Sequence, residues 1–185
     1  MTSLLAISGS PARRSRTALV AAQLAERLSE TGFDVGHLDL RELPPRELLG
    51  AEVDDPRIAA AAEAVAAADG VIVATPVYKA SYTGLLKAFL DLLPQSALAG
   101  KTVLPVVTGG SLAHLLALDY ALRPVLSALG ARHVVPGCFL LDSAIERLAD
   151  GGARLEPEAE LRLLGAVDEF IGALPSRPAL APVSS

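Results

Sequence analysis

The stretch from Leu4 to Thr17, LLAISGSPARRSRT, constrains the fold of this chain more than any other. Four apolar residues, Leu4 to Ile7, run straight into Ser8-Gly9-Ser10-Pro11; Arg13, Arg14 and Arg16 follow, and Ser15 and Thr17 open a helical pattern. The order is buried strand, hydroxyl-rich loop, helix start. A loop of this kind aims backbone N–H groups, hydroxyls and a guanidinium at one point, with the positive end of a helix dipole behind them. It reads as a phosphate cradle, although a Ser/Gly/Pro turn followed by a Ser or Thr cap is also ordinary strand-to-helix chemistry. The dipole contributes only about 0.3–1 kcal/mol at an exposed site, so hydroxyls, amides and arginine must supply most of the grip. The loop is neither GxxxxGK[ST] nor GxGxxG. With Gly9 as its single glycine it suits one terminal phosphate better than a pyrophosphate.

The same alternation continues along the chain. Thr17 to Leu28 carries Ala18, Leu19, Ala22, Ala25 and Leu28 at helical spacing, and Thr31-Gly32 closes it. Phe33 to Leu40 reads as a second strand, and Leu43 to Asp55 as an irregular surface connection. Arg57 to Ala68 is an alanine-rich helix, and Val71 to Thr75 is apolar on both faces, as a central parallel strand should be. Gly84 to Leu93 is a short amphipathic helix, Lys101 to Val107 a fourth strand, and Leu112 to Leu129 a long helical pattern. His133 to Val135 begins a fifth strand that resumes at Cys138 to Leu141, and Glu156 to Leu174 is a last helix. Strands alternating with helices predict a parallel sheet with right-handed crossovers. The expectation is an α/β, flavodoxin-like domain over residues 1–174, a five-stranded parallel sheet in order 2-1-3-4-5 with helices on both faces. The proline-rich residues 175–185 are expected to be disordered. In that strand order the loops after strands 1, 3 and 4 lie side by side at the carboxyl edge, where ligands bind. They are Ser8–Thr17, Thr75–Thr83 and Thr108–Ser111.

Composition limits the partners. The chain is 51% hydrophobic and 4% aromatic, which suits a compact sheet covered by helices, and its net charge of −5 carries no basic footprint for nucleic acid or an anionic membrane. A single cysteine, Cys138, excludes an internal disulfide. His114 and His133 stand apart without metal-ligand spacing, and no GxSxG elbow accompanies Ser111, so neither a metal site nor a hydrolase is expected. No apolar run reaches about 18 residues, and the first residues have no positively charged leader pattern. The expected location is cytoplasmic.

The second and third loops have their own chemistry. TPVYKASYTG, Thr75 to Gly84, leaves its strand into a proline that fixes its own φ and cannot donate a hydrogen bond. Val77, Tyr78 and Lys79 then offer an apolar edge, an aromatic face and backbone amides to a planar ring, or alternatively a half-buried aromatic and a solvated charge. Thr108-Gly109-Gly110-Ser111 lets a ligand approach the backbone closely and places amides where negative charge on a reduced ring can be met. It is also an ordinary glycine turn before a helix.

Taken together, GSPxxxSRT, ATPVYKASYTGLLKAFLDLLP and GKTVLPVVTGGSLAHLLALDYALRPVLSALGA resemble the NADPH-dependent FMN reductase family over about Leu4 to Leu141. They are most similar to the FMN reductase component of two-component alkanesulfonate monooxygenase systems. The resemblance implies that the FMN phosphate lies on Ser10, Ser15, Arg16 and Thr17. It implies the isoalloxazine against Pro76, Val77, Tyr78 and Lys79, with Thr108, Gly109, Gly110 and Ser111 on the other side. NADPH is the implied hydride donor, and a flavin-dependent monooxygenase in sulfur assimilation is the implied recipient of reduced FMN. No side chain is expected to be catalytic in the strict sense. A prosthetic-FMN reductase of quinones, azo compounds or metal ions uses nearly the same loops, and a flavodoxin-like electron carrier is a further alternative. Arg13 and Arg14 fall at variable family positions, as solvated charges or as contacts to the NADPH 2′-phosphate.

Pro124 sits well inside the pattern from Leu112 to Leu129, so the carbonyl of Tyr120 loses its normal partner and the helix must be kinked or bulged there. Both remain open from the residues alone. Reductases of the two-component type carry a tyrosine in this motif, in an inserted π-helix near the tetramer interface and the flavin site. That feature is associated with flavin release, and Tyr120 matches it. The apolar faces of the helices from Gly84 and Leu112 exceed what one sheet layer needs, so a homodimer or homotetramer is expected.

Overall fold

The computed structural model describes residues 1–175. Strand β1 (Ser3–Ser8) pairs in parallel with β2 (Asp34–Asp39) on one side and β3 (Gly70–Pro76) on the other; β4 (Thr102–Gly109) follows β3. The fifth position is shared by β5 (His133–Val134) and β6 (Cys138–Leu141), both parallel to β4. The order β2-β1-β3-β4-β5 is the flavodoxin-like one expected. The break within the fifth position falls at Pro136, which has no N–H for the ladder, and Gly137, whose φ is +85°. A Cβ at Gly137 would stand 2.5 Å from the Pro105 carbonyl oxygen, so glycine is required there.

Because the central strands are apolar on both faces, the interior has two compartments. Leu5, Ile7, Val71, Val73, Val103 and Val107 face one way. They pack against α3 (Pro56–Ala67), α4 (Gly84–Leu90) and α5 (Arg123–Ala128). Leu4, Ala6, Ile72, Ala74, Leu104 and Val106 face α1 (Arg16–Glu30) and α6 (Pro157–Gly172). Asp55 caps α3 by accepting from the amides of Arg57 and Ile58, and Thr83 caps α4 through the amide of Leu86.

Three departures from the expected elements have local causes. The connection after β2 is not irregular throughout: a 3₁₀ turn at Leu40–Glu42 precedes a one-turn helix α2 (Pro45–Leu49), where Pro45 supplies a helical φ at a position whose N–H is not needed. The continuous helix expected over Leu112–Leu129 is instead a 3₁₀ turn (Leu112–His114), a π-helix (Leu118–Leu122) and α5. Pro124 cannot donate to Tyr120, and the chain takes in an extra residue, the amide of Arg123 reaching back five positions to the carbonyl of Leu118. The bulge, rather than a simple kink, is what the proline produces. Finally, an antiparallel hairpin of β7 (Ile145–Arg147) and β8 (Ala153–Leu155) precedes α6. Its three-residue strands, with Glu146, Arg147 and Arg154 facing solvent, are too short for a period to show. The tail expected to be disordered lies outside the described residues apart from Pro175.

Candidate functional site

The three loops at the carboxyl edge are joined by hydrogen bonds. The amide of Gly9 donates to the Ala74 carbonyl at 2.8 Å, and the Thr83 hydroxyl donates to the Gly9 carbonyl, tying the first loop to the second. Thr17 and Thr108 share a 2.7 Å hydrogen bond between their buried hydroxyls, tying the first loop to the third. Val77 donates its amide to the Thr108 carbonyl at 2.8 Å, tying the second to the third. The convergence expected from strand order is therefore built from specific bonds, and it brings Ser10, Ser15, Thr17, Pro76, Val77, Thr108 and Gly109 into one region.

In the first loop Ser15 is the N-cap of α1, its hydroxyl oxygen accepting from the amide of Ala18 at 3.0 Å. Capping and anion binding are compatible, since the first amides of a helix have no intrahelical acceptor. Ser10 is buried and accepts a long 3.4 Å bond from Ala12. Ser8, at the end of β1, is fully buried with no partner for its hydroxyl among the described residues. Arg16 is exposed; its Nε donates to the Ile145 carbonyl at 3.0 Å, leaving Nη1 and Nη2 without partners among the described residues. An unpartnered Ser8 hydroxyl at the start of the loop and an Arg16 guanidinium with two uncommitted nitrogens at its end are donors of the kinds that a phosphate monoester uses. The residues present fit the phosphate end of FMN.

The second loop turns tightly. Tyr78 and Ser81 exchange backbone hydrogen bonds of 2.8 and 3.2 Å, and Lys79 and Ala80 between them have φ of +52° and +63°. Two left-handed residues in succession are the geometry of a type I′ turn, normally filled by glycine or asparagine. The amides of Val77 and Tyr78 are thus used inside the fold, and of the three expected to face a ring only that of Lys79 is uncommitted among the described residues. Tyr78 is 46% exposed at the turn's flank. In the third loop Gly109 lies under the Phe139 ring, 3.0 Å from where a Cβ would be. The amides of Gly110 and Ser111 have no partner among the described residues. The helix expected to follow them does not begin there: only a three-residue 3₁₀ turn follows, capped by Ser111.

Sequence reasoning missed two supports of the first loop. Arg41 donates from Nη1 to the Ala12 carbonyl at 3.1 Å while paired with Asp39. Burial alone would raise the Asp39 carboxyl, but hydrogen bonds from the Arg41 side chain and amide and its positive charge outweigh this and hold it below the usual range. The other support is the β7–β8 hairpin, which contributes the Ile145 carbonyl and an Arg147 bond to the Arg14 carbonyl. Arg41 and Arg147 reach the loop through its backbone carbonyls, which carry no residue signature, so no motif announces them.

Tyr120 lies in the middle of the π-helix and is 78% exposed, in a cleft lined also by His114, Leu116 and by Ala80 from the turn of the second loop. No group of three or more metal-ligating side chains occurs among the described residues. Cys138 is buried, and desolvation pushes its thiol up to about 11, with Arg162 opposing weakly. At pH 7.5 it should therefore label with a maleimide at less than about a tenth of the rate of free cysteine, accelerating on unfolding in urea, as thiolate reactivity requires. Labelling of the folded protein at the free-cysteine rate would contradict this burial. No helix among the described residues is long and apolar enough to cross a membrane.

Residues 2–146 match the family described as NADPH-dependent FMN reductase. An FMN reductase (NADPH) from Pseudomonas putida KT2440 is 46% identical over 177 residues, covering 95% of this chain and 89% of that protein. An FMN reductase (NADPH) from Escherichia coli K12 is 43% identical over 179 residues, covering 97% and 93%. Among solved structures, the apo form of an NADH:FMN oxidoreductase (EMOB) superposes with a TM-score of 0.86 at 47% identity, covering 96% of this chain and 92% of that one. With the loops, their mutual bonds and the donor set in place, these matches establish that the chain belongs to the NADPH-dependent FMN reductase family, as an oxidoreductase acting with NADPH and FMN.

Proposed function

We propose that the protein uses NADPH to reduce FMN and then releases the reduced flavin to a flavin-dependent monooxygenase, of the alkanesulfonate type, in sulfur assimilation. The observation that carries release is the five-residue π-helix with its exposed Tyr120, sharing a cleft with the turn of the second loop. A side chain there lies beside the turn of the second loop and on the exposed apolar surface that a second copy would cover, so assembly and flavin exchange are coupled. Bound FMN supplies the redox chemistry by accepting hydride from NADPH. The protein's part is to bind and orient. Ser10, Ser15, Arg16 and Thr17 hold the phosphate; Pro76, Val77, Tyr78 and Lys79 flank the ring; Thr108 and Gly109 shape its other side. The open amides of Gly110 and Ser111 face the charge that builds on the ring. No proton need be moved by a side chain, so none is assigned as catalytic.

The reading extends to assembly and setting. Of the two helical segments expected to have surplus apolar surface, α4 buries Leu86, Phe89 and Leu90 and half-buries Leu85, whereas Leu112, Leu115, Leu116 and Tyr120 are exposed. We assign that patch to a homodimer or homotetramer of the 1–174 domain in the cytoplasm, with a light-scattering mass above the monomer as the expected result.

The test is NADPH oxidation by flavin-stripped protein against rising free FMN, with oxygen as final acceptor. Saturable dependence on FMN far above the enzyme concentration means that FMN is a substrate. Levelling at one equivalent, with further turnover only on adding quinone or another acceptor, means a prosthetic flavin and removes the monooxygenase partner. In the same assay Tyr120→Ala should change the dissociation rate of reduced FMN by about tenfold, the scale of one lost aromatic contact, and should reduce the assembly mass. Unchanged flavin kinetics and mass would remove Tyr120 from this role.

A further inference from the structure

The family match ends at residue 146, within β7, so that Arg147 and β8 lie beyond it, yet the hairpin is fastened to the first loop and to α1 at three points. Arg147 donates from Nη1 to the carbonyl of Arg14; Arg16 donates from Nε to the carbonyl of Ile145 at 3.0 Å; Gln23 donates to the carbonyl of Ala153 at 3.0 Å. The hairpin's base is closed by the amide of Glu156 on the Ala144 carbonyl at 2.9 Å, so the two strands move as one piece with the start of α6. In the arginine-bearing part of the loop, Arg13, Arg14 and Arg16 are exposed.

We propose that the hairpin is the positioning element of the phosphate site and that Arg147 is its positioning residue. Two consequences of the geometry carry this. The bond from Arg147 fixes the peptide between Arg14 and Ser15, and so the entry to α1 whose first amides, with the Ser15 hydroxyl, face the anion. The carbonyl of Ile145 fixes the plane of the Arg16 guanidinium by taking its Nε proton, which leaves the Nη1 and Nη2 protons to the ligand. A planar fork held at one nitrogen loses less freedom when it meets a phosphate than a free side chain does. Arg147 touches neither the ring nor the phosphate. Its effect is confined to the phosphate end.

The inference rests on the assignment of this loop to the FMN phosphate, and the test separates the two. FMN and riboflavin, which lacks the phosphate, are titrated by fluorescence quenching into flavin-stripped wild type, Arg147→Ala, Arg147→Lys and Arg16→Ala, each checked by circular dichroism. Arg147→Ala should weaken FMN by about three- to tenfold, the value of one positioned hydrogen bond, and leave riboflavin within about twofold. Arg147→Lys, which keeps one donor, should recover part of the loss, and the KM for FMN should follow the dissociation constant while kcat holds. If Arg16→Ala discriminates between FMN and riboflavin but Arg147→Ala weakens both equally or neither, the positioning role falls and the phosphate assignment stands. If Arg16→Ala does not discriminate either, the phosphate assignment falls with it.

Discussion

Alanine at position 9 should weaken FMN binding by about tenfold or more and lower the melting temperature by several degrees, about 2–4 °C for each kcal/mol in a chain of this size. The argument is steric. A Cβ on Gly9 would stand 2.7 Å from the Cβ of Leu86 and 3.3 Å from its Cγ and Cδ1. The closest atom is the root of a fully buried side chain on α4, so no rotamer change relieves it. Either α4 or the loop must move. Both are held, because the Thr83 hydroxyl binds the Gly9 carbonyl and also caps α4 through the Leu86 amide at 3.1 Å. Overpacking a site of this kind costs about 1–3 kcal/mol, and any shift of the Gly9 backbone carries with it buried Ser10 and the rest of the first loop, the proposed phosphate site. Thermal unfolding and a fluorescence titration on the same sample check both effects. Wild-type affinity with wild-type stability would mean that the loop is not confined by α4 as described.

The largest loss of stability should come from Phe170→Ala, about 3–5 kcal/mol as for other fully buried aromatics, read as a fall in the urea midpoint with the slope unchanged. Phe170 lies on α6 and is 0% exposed. Its ring occupies the space over Gly70, where a Cβ would meet Phe170 Cζ at 2.7 Å and Leu174 Cδ2 at 2.5 Å. Gly70→Ala should accordingly be less damaging in the Phe170→Ala background than in wild type, a non-additivity expected only for residues in contact. Gly70 begins β3, at the opposite end of the sheet from the ligand loops. FMN affinity measured well below the transition should therefore stay within about twofold of wild type. A tenfold loss of affinity would show that the two ends of the sheet are coupled.

The parts legible in the sequence are those where one physical requirement dictates residue type over several positions. Val71 to Thr75 had to be apolar on both faces to be central, and with Leu4 to Ile7 and Lys101 to Val107 it fixed which three loops converge. The Thr17–Thr108 bond is the side-chain expression of that convergence. Legibility failed where periodicity has two meanings. Leu112, Leu115 and Leu116 recur at helical spacing, but their side chains are exposed, and a 3.6 period cannot distinguish a face turned to the core from one turned to another surface. Pro124 announced a defect without saying which. The hairpin was invisible because three residues are too few for alternation to register, and Arg41 because its contribution runs through a backbone carbonyl of Ala12. Nor can a sequence show that the amides of Val77 and Tyr78 are already used by Thr108 and Ser81.

The left-handed pair at Lys79 and Ala80 bears on the kinetics of ligand exchange. Holding two residues other than glycine at positive φ costs of order 1–3 kcal/mol each. That energy is supplied when the chain folds, by the bonds between Tyr78 and Ser81 and by the strand behind them. The turn proposed to meet the ring is therefore already ordered before any flavin arrives. An arriving flavin has little loop entropy to overcome, and a departing one leaves no segment to collapse behind it. Such a surface favours rapid exchange of its occupant over long residence, which is what the proposed release of reduced FMN requires.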